Sequence, residues 1–173
     1  GYTLVGDFAN LVDGDALTIG LGTANVTLAA GTVGGSAPSS ATHVANHALL
    51  LASHGSGPAT DGFGTAPSQA NVALFRFRLQ NPTGVATTAT QAVFPLSAVA
   101  SISGAELTNV RIWNGSTNVA TNGSASIAGA TGSITFSPAF AVPAGSTVDY
   151  TLYADVANLY AGDTLTVSLG TAN

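Results

Sequence analysis

The chain begins and ends with the same motif. Residues 1–25 read GYTLVGDFANLVDGDALTIGLGTAN and residues 149–173 read DYTLYADVANLYAGDTLTVSLGTAN; aligned without gaps, they are identical at 16 of 25 positions. The identities include Tyr2/Tyr150, Asp7/Asp155, Asn10/Asn158, Leu11/Leu159, Gly14/Gly162 and Asp15/Asp163, and both copies close on Leu-Gly-Thr-Ala-Asn. A duplication at this spacing constrains the architecture before any local propensity is considered. Three arrangements are compatible with it. The chain is one period of a tandem array with a repeat of 148 residues; or it is a polymer subunit whose first segment imitates its own last strands and completes a neighbour's sheet; or the two copies pair within one monomer about a pseudo-twofold axis. The first two produce linear assemblies. They are the expected ones, because head-to-tail joining needs matching features at the two ends.

Each copy reads as strand, turn, strand. Leu165, Val167 and Leu169 alternate with Thr164, Thr166 and Ser168, and Val148, Tyr150 and Leu152 alternate with Asp149, Thr151 and Tyr153. This is the period of two that gives a strand one apolar face. Gly162 and Asp163 suit the turn between them. The same alternation starts again near residue 71, where Ala73, Phe75, Phe77 and Leu79 share a face opposite Arg76 and Arg78, and Gln80-Asn81-Pro82-Thr83-Gly84 ends it. Further strands are expected at 85–95, 97–102, 106–113, 124–128 and 132–137. Turn residues separate them at roughly 8–12-residue intervals, the spacing of an antiparallel sandwich. No segment holds a helical period, and abundant Thr, Val and Ser favour strand. Residues 26–70, rich in Gly, Ala and Ser, read as a long connection, with His43 to Ser53 as either a short strand or one helical turn. The expected division is therefore a terminal repeat segment at 1–25, a connection at 26–70 and a β-sandwich at 71–173.

Composition removes whole classes of function. Of 173 residues only 6% are charged, with three arginines, no lysine, no cysteine and a net charge of −5. Arg76, Arg78 and Arg111 cannot form the basic face that nucleic acid requires. A disordered acidic chain needs high charge with low hydrophobicity, whereas here 46% of residues are hydrophobic. Ala48-Leu49-Leu50-Leu51-Ala52 falls far short of the roughly 20 apolar residues of a spanning helix. Disulfide and thiol chemistry are excluded. A surface of Thr, Ser, Asn and Gly in place of Lys and Glu suggests an exported, assembled protein. Because residue 1 is Gly and not Met, the chain is expected to be processed or excised, any signal peptide having been removed.

Three stretches together carry a resemblance: Asn71-Val-Ala-Leu-Phe-Arg-Phe-Arg-Leu, Glu106-Leu-Thr-Asn-Val-Arg-Ile-Trp-Asn-Gly, and Phe140-Ala-Val-Pro-Ala-Gly-Ser-Thr-Val-Asp-Tyr-Thr-Leu-Tyr-Ala-Asp-Val. They resemble the immunoglobulin-like repeat domains of bacterial and archaeal surface-layer and other cell-surface proteins, over roughly residues 71–170. The resemblance implies an immunoglobulin-like sandwich with a structural or adhesive task and no catalytic set. The second copy of the terminal motif, at 1–25, departs from that pattern. It suggests strand exchange along a fibre, similar in logic to donor-strand-complemented pili.

The chemistry-bearing residues are few. His43, His47 and His54 are all the histidines, within twelve residues, and imidazoles suit copper or zinc; the flanking Gly and Ala argue for a loop, and a flexible, hydrophilic connection that happens to use His is the expected reading. Asp7, Asn10, Asp13 and Asp15, with Asp155, Asn158 and Asp163 in the second copy, could supply oxygen ligands to calcium. However, Ala161 stands where the first copy has Asp13, and Asp and Asn capping a Gly-containing turn explain both copies more simply. Glu106 is the only Glu, there are no paired carboxylates in a recognisable frame, and no Ser lies in a Gly-x-Ser-x-Gly elbow. Gly55, Gly57, Gly62 and Gly64 lack the strand-to-helix context and Lys of a phosphate loop. No enzyme activity, metal or cofactor is expected. Trp113, Tyr2, Tyr150, Tyr153 and Tyr160 could form an aromatic platform for sugars or could serve as ordinary core and interface residues. Asn25, Asn114 and Asn122 head acceptor sequons for N-glycosylation, while Pro82 excludes Asn81.

The resulting expectation is an all-β, immunoglobulin-like antiparallel β-sandwich. It serves as a structural subunit or tandem repeat of an extracellular filament, pilus or surface layer. Its partners are copies of itself, with glycans as a second class. Leu4, Leu17, Ile19 and Leu21 of one subunit would insert into the next, against the sandwich that carries Leu152, Leu165, Val167 and Leu169. Burying four or five such side chains at roughly 1.5–3 kcal/mol each gives about 6–15 kcal/mol before entropic costs. The alternative is a secreted carbohydrate-binding or adhesive module.

Overall fold

The computed structural model describes residues 2–9, 15–45, 49–137 and 140–171. It is all-β, and its strand pairings are antiparallel. The chain divides into two compact units, residues 1–48 and 49–173.

In the first unit, β1 (Ala16–Ile19) pairs with β2 (Ala41–Val44), so that Leu17 faces His43 and Thr18 faces Thr42. The two threonine hydroxyls hydrogen-bond at 2.9 Å, and the Ala45 N–H donates to the Asp15 carbonyl at 2.7 Å. A single 3-10 turn at Thr23–Asn25 follows β1, with the Asn25 side chain accepting the Gly22 N–H. Residues 2–9 form no strand.

The second unit is a sandwich of two sheets. β3 (Leu50–Ala52), β4 (Gln69–Gln80), β12 (Thr147–Val156), β7 (Leu107–Trp113) and β8 (Asn118–Ala120) make one sheet in that order. β13 (Thr164–Val167), β6 (Ala92–Ala100), β10 (Thr131–Phe136) and β9 (Ser124–Ala128) make the other. β5 (Thr87–Ala89) and β11 (Phe140–Val142) form a small ribbon at one end. The first long strand and the last strand thus lie in opposite sheets, β4 beside β12 and β13 beside β6.

Alternation explains the core. Phe75, Phe77 and Leu79 point inward from β4, and Tyr150 and Leu152 from β12; Phe77 and Tyr150 are cross-strand partners whose rings stack at 5.2 Å. Phe94 of the facing sheet meets Phe77 edge-on at 5.6 Å, which joins the layers, and packs edge-on against Phe136 of its own sheet at 6.1 Å. Ile112, Ile134, Val142, Leu152 and Ala154, all fully buried, complete the apolar interior. Burial pushes the Tyr150 phenol up to about 12, so it stays neutral.

The structure departs from the sequence reading at several points. Residues 26–70 are more than a connection: β2 pairs with β1, and β3 pairs with the end of β4. The region between His43 and Ser53 holds parts of both strands, with no helical turn among the described residues. The breaks near 95 also move. β6 runs through Pro95, whose carbonyl accepts the Ser168 N–H at 3.0 Å, and the interruption falls instead at Thr90-Gln91. Asn81 ends β4 by burying its amide, which donates to the Val85 and Val142 carbonyls at 2.9 and 3.1 Å.

Candidate functional site

The two copies of the terminal motif are built into different surroundings. In the C-terminal copy Tyr150, Leu152, Ala154 and Val156 lie along β12 between β4 and β7, and all are buried. Their counterparts Tyr2, Leu4, Gly6 and Phe8 are exposed; Leu4 is 78% accessible and Phe8 62%, against 0% for Leu152. The second limb of the motif is a strand in both copies, over the same four positions. β13 lays Leu165 and Val167, followed by Leu169, half-buried against the core. β1 leaves Leu17 exposed and Ile19 half-buried, and Leu21 beyond its end is exposed.

The Asp residues of the motif have separate tasks. The Asp155 carboxylate accepts the Asn71 N–H at 2.8 Å and the Asn109 amide at 2.9 Å, and lies 3.7 Å from the buried Arg111 guanidinium. Arg111 also donates to the Asn71 side chain and to the Asn109 carbonyl. Asn71 and Asn109 both take left-handed backbone (φ 59° and 47°) where the ladders shift register. Asp155 therefore fastens three strands at a bulge. The Asn71 N–H, then the Asn109 amide, hold its carboxyl below the ordinary carboxylate value. Asp163 caps the turn, accepting the Tyr160 N–H at 2.8 Å beside Gly162 at φ 98°. The turn-cap explanation holds for Asp163 and not for Asp155. Asn10 and Asp13 lie outside the described residues, and Asp7 is exposed.

His43 is exposed on β2, and His54 follows β3, where its Nδ1 accepts the Ser56 N–H at 3.0 Å; His47 lies outside the described residues. Among the described residues no group of three His, Cys, Asp or Glu side chains is placed to hold a metal ion. Glu106 accepts the Ser103 N–H and caps a 3-10 turn at Gly104–Glu106. Tyr150 is committed to the core, Trp113 is half-buried on β7, Tyr153 lies under the Arg111 guanidinium at 5.8 Å, and Tyr160 is exposed. The three sequons fall on surface turns: Asn25 and Asn122 are exposed and Asn114 is half-buried. Among the described residues no helix is long and apolar enough to cross a membrane.

Sequence reasoning did not reveal an open seam along one side of the sandwich. A cavity of about 630 Å³ lies between β4 at Val72–Phe75, the loop at 58–64 and residues 160–167. A second of about 530 Å³ continues from it, sharing Phe75, and is lined by Leu51, Phe77 and Leu169. A third of about 160 Å³ shares those last three residues and runs on past Leu79 and Phe140. Both bordering strands have an unpaired edge among the described residues. β13 is bonded only to β6, and on its outer side β4 is bonded only at Arg78–Gln80, by β3. The alternation of Phe75, Phe77, Leu165, Val167 and Leu169 is legible in the sequence. Their meeting across an unfilled gap is a tertiary fact.

No family model, curated protein or solved structure matches the chain.

Proposed function

We propose that the chain is a structural subunit or tandem repeat of an extracellular filament, pilus or surface layer, joined head-to-tail by β-strand donation. One observation carries the reading: residues that the sandwich buries in the C-terminal motif recur, exposed, in the N-terminal copy. Exposed apolar alternation is costly for a free monomer, and open sheet edges invite pairing. A chain that presents both an edge and a spare copy of an edge-filling motif is suited to pairing with itself. The low charge fits dense packing along a fibre, where mutual repulsion would be unfavourable. The placement outside the cell rests on composition, and an immunoglobulin-like relation on the three resembling stretches. The sequons at Asn25 and Asn122 are exposed, as glycan attachment requires, whereas Asn114 is half-buried with its side-chain oxygen accepting from Ser116 and Thr117. A non-catalytic role agrees with carboxylates committed to bulges, turns and the Arg78–Asp149 pair.

The test is electron microscopy of the concentrated chain. Regular fibres with a rise of roughly 30–50 Å per subunit are expected from one small domain per step. Dispersed monomers at high concentration overturn the reading. Tyr160 favours a second one, a secreted carbohydrate-binding or adhesive module. Its exposed ring borders the cavity of about 630 Å³ together with Asp61 and Asp163. Glycan-array binding that survives deletion of residues 1–25 would establish that module instead.

A further inference from the structure

We infer that the donated strand is Tyr2–Phe8, and that its acceptor is the seam along the open edge of β4 in a second copy. This rests on the strand-donation reading and specifies which limb of the motif moves and where it goes. The limb at Ala16–Ile19 already has a strand partner in β2. Residues 2–9 form no strand, yet in extended form Tyr2, Leu4, Gly6 and Phe8 share one face. The same positions of the C-terminal copy, Tyr150, Leu152, Ala154 and Val156, are all accommodated by the interior of this sandwich.

The acceptor matches in length and chemistry. From Val72 to Phe77, ahead of the positions that β3 pairs, β4 lines the first two cavities over six residues, roughly 20 Å at the rise of a strand. Tyr2–Phe8 is seven residues, roughly 22 Å on the same basis. The seam's walls are aromatic and aliphatic, and the outer edge of β4 before Arg78 has no strand beside it among the described residues. An incoming strand would gain a backbone ladder on β4 and put Leu4 and Phe8 among Phe75, Phe77, Leu165 and Leu169. Gly6 falls between them, where the lack of a side chain lets the two backbones approach closely.

The experiment uses the full chain with p-benzoylphenylalanine in place of Phe8, an exposed position where the probe leaves the fold intact. This isotopically heavy chain is mixed with light wild-type chain, concentrated and irradiated, and the products are mapped by mass spectrometry. Heavy-to-light cross-links on seam residues such as Phe63, Phe75 or Leu169 are expected. Heavy-to-light cross-links elsewhere, in material that still forms fibres, overturn the seam assignment and leave the filament reading standing. Cross-links confined to one copy also overturn it. Monomers without cross-links overturn both. In the same assay Leu4→Asp is expected to lower the yield at least about tenfold, and Leu17→Asp to leave it near wild type. The reverse pattern would make β1 the donor and refute the assignment.

Discussion

Residues 2–21 and 150–169 are close to the same sequence in two situations, and the contrast separates what local pattern decides from what neighbours decide. The four-residue strand appears in both: Ala16–Ile19 finds β2 and Thr164–Val167 finds β6. A strand with one partner is within reach of a short alternating segment. The other limb behaves differently. Thr147–Val156 is a ten-residue strand because β4 and β7 flank it and the facing sheet covers it; residues 2–9 have the same alternation and form no strand. Apolar periodicity states which face must be buried, and only a second and third strand can bury it.

The largest effect should come from the leucine that the copies share. Leu152→Ala removes a fully buried side chain between two sheets and should cost about 2–5 kcal/mol. Leu4→Ala at the exposed counterpart should change the unfolding free energy of the isolated chain by less than about 0.5 kcal/mol. Denaturant titration of dilute, monomeric protein measures both. Comparable losses would mean that the first limb is buried within its own chain, and the comparison would fail.

The shared aspartate should separate the copies next. Asp155→Ala leaves the buried Arg111 without its carboxylate and frees the Asn71 N–H and Asn109 amide, an expected loss of about 1–3 kcal/mol. Asp7→Ala, on an exposed segment, should stay within about 0.5 kcal/mol of wild type. An equal cost at Asp7 would reveal a partner for that carboxylate.

Acid should act on the sandwich through two carboxylates. The Arg78 side chain, and after it the Gly55 N–H, hold the Asp149 carboxyl down to about 2, and Asp155 is lowered by its own hydrogen bonds. A depressed folded value means that the unfolded chain takes up the proton first. This stability is therefore complete above the ordinary value of 3.8 and is lost as pH falls from about 4 towards 2. Arg78 and Asp149 are each about one-third exposed, so salt and water screen the pair and the loss should be a few degrees of melting temperature. Melting curves across that range, with Asp149→Asn and Asp155→Asn as flatter controls, measure it. An unchanged slope in both variants would remove these carboxylates from the account.

Much of the sandwich was legible because its strands are long and covered on one face. The strands at 106–113, 124–128 and 132–137 appear within a residue of their expected ends. The three-residue strands β3, β5, β8 and β11 carry too little sequence to show a period of two, and β2 is exposed along its length, so no apolar face marks it. Pro95 reads as a break because it lacks a donor, although β6 continues through it. Nor does sequence show that Asn71, Asn109 and Asp155 meet at one bulge, since the fold closes distances of 84 and 46 residues to bring them together. The seam was hidden for the same reason: β4 and β13 stand at opposite ends of the sandwich's sequence.

The smallest effect tests the limb that is a strand in both copies. Leu165 is half-buried on an edge strand of four residues, whose ladder to β6 shifts register between Thr164 and Thr166. Leu165→Ala should cost about 1 kcal/mol, near the lower end for an apolar side chain because only part of it leaves water. It should also raise amide exchange in β13 well before global unfolding, since an edge strand with an interrupted ladder opens locally. Leu17→Ala removes the matching side chain from β1, where it is exposed opposite His43, and should leave exchange in β13 untouched. If Leu17→Ala instead protects or exposes β13 amides in dilute solution, the two limbs share one binding place on β6, and they are competitors for it rather than independent strands.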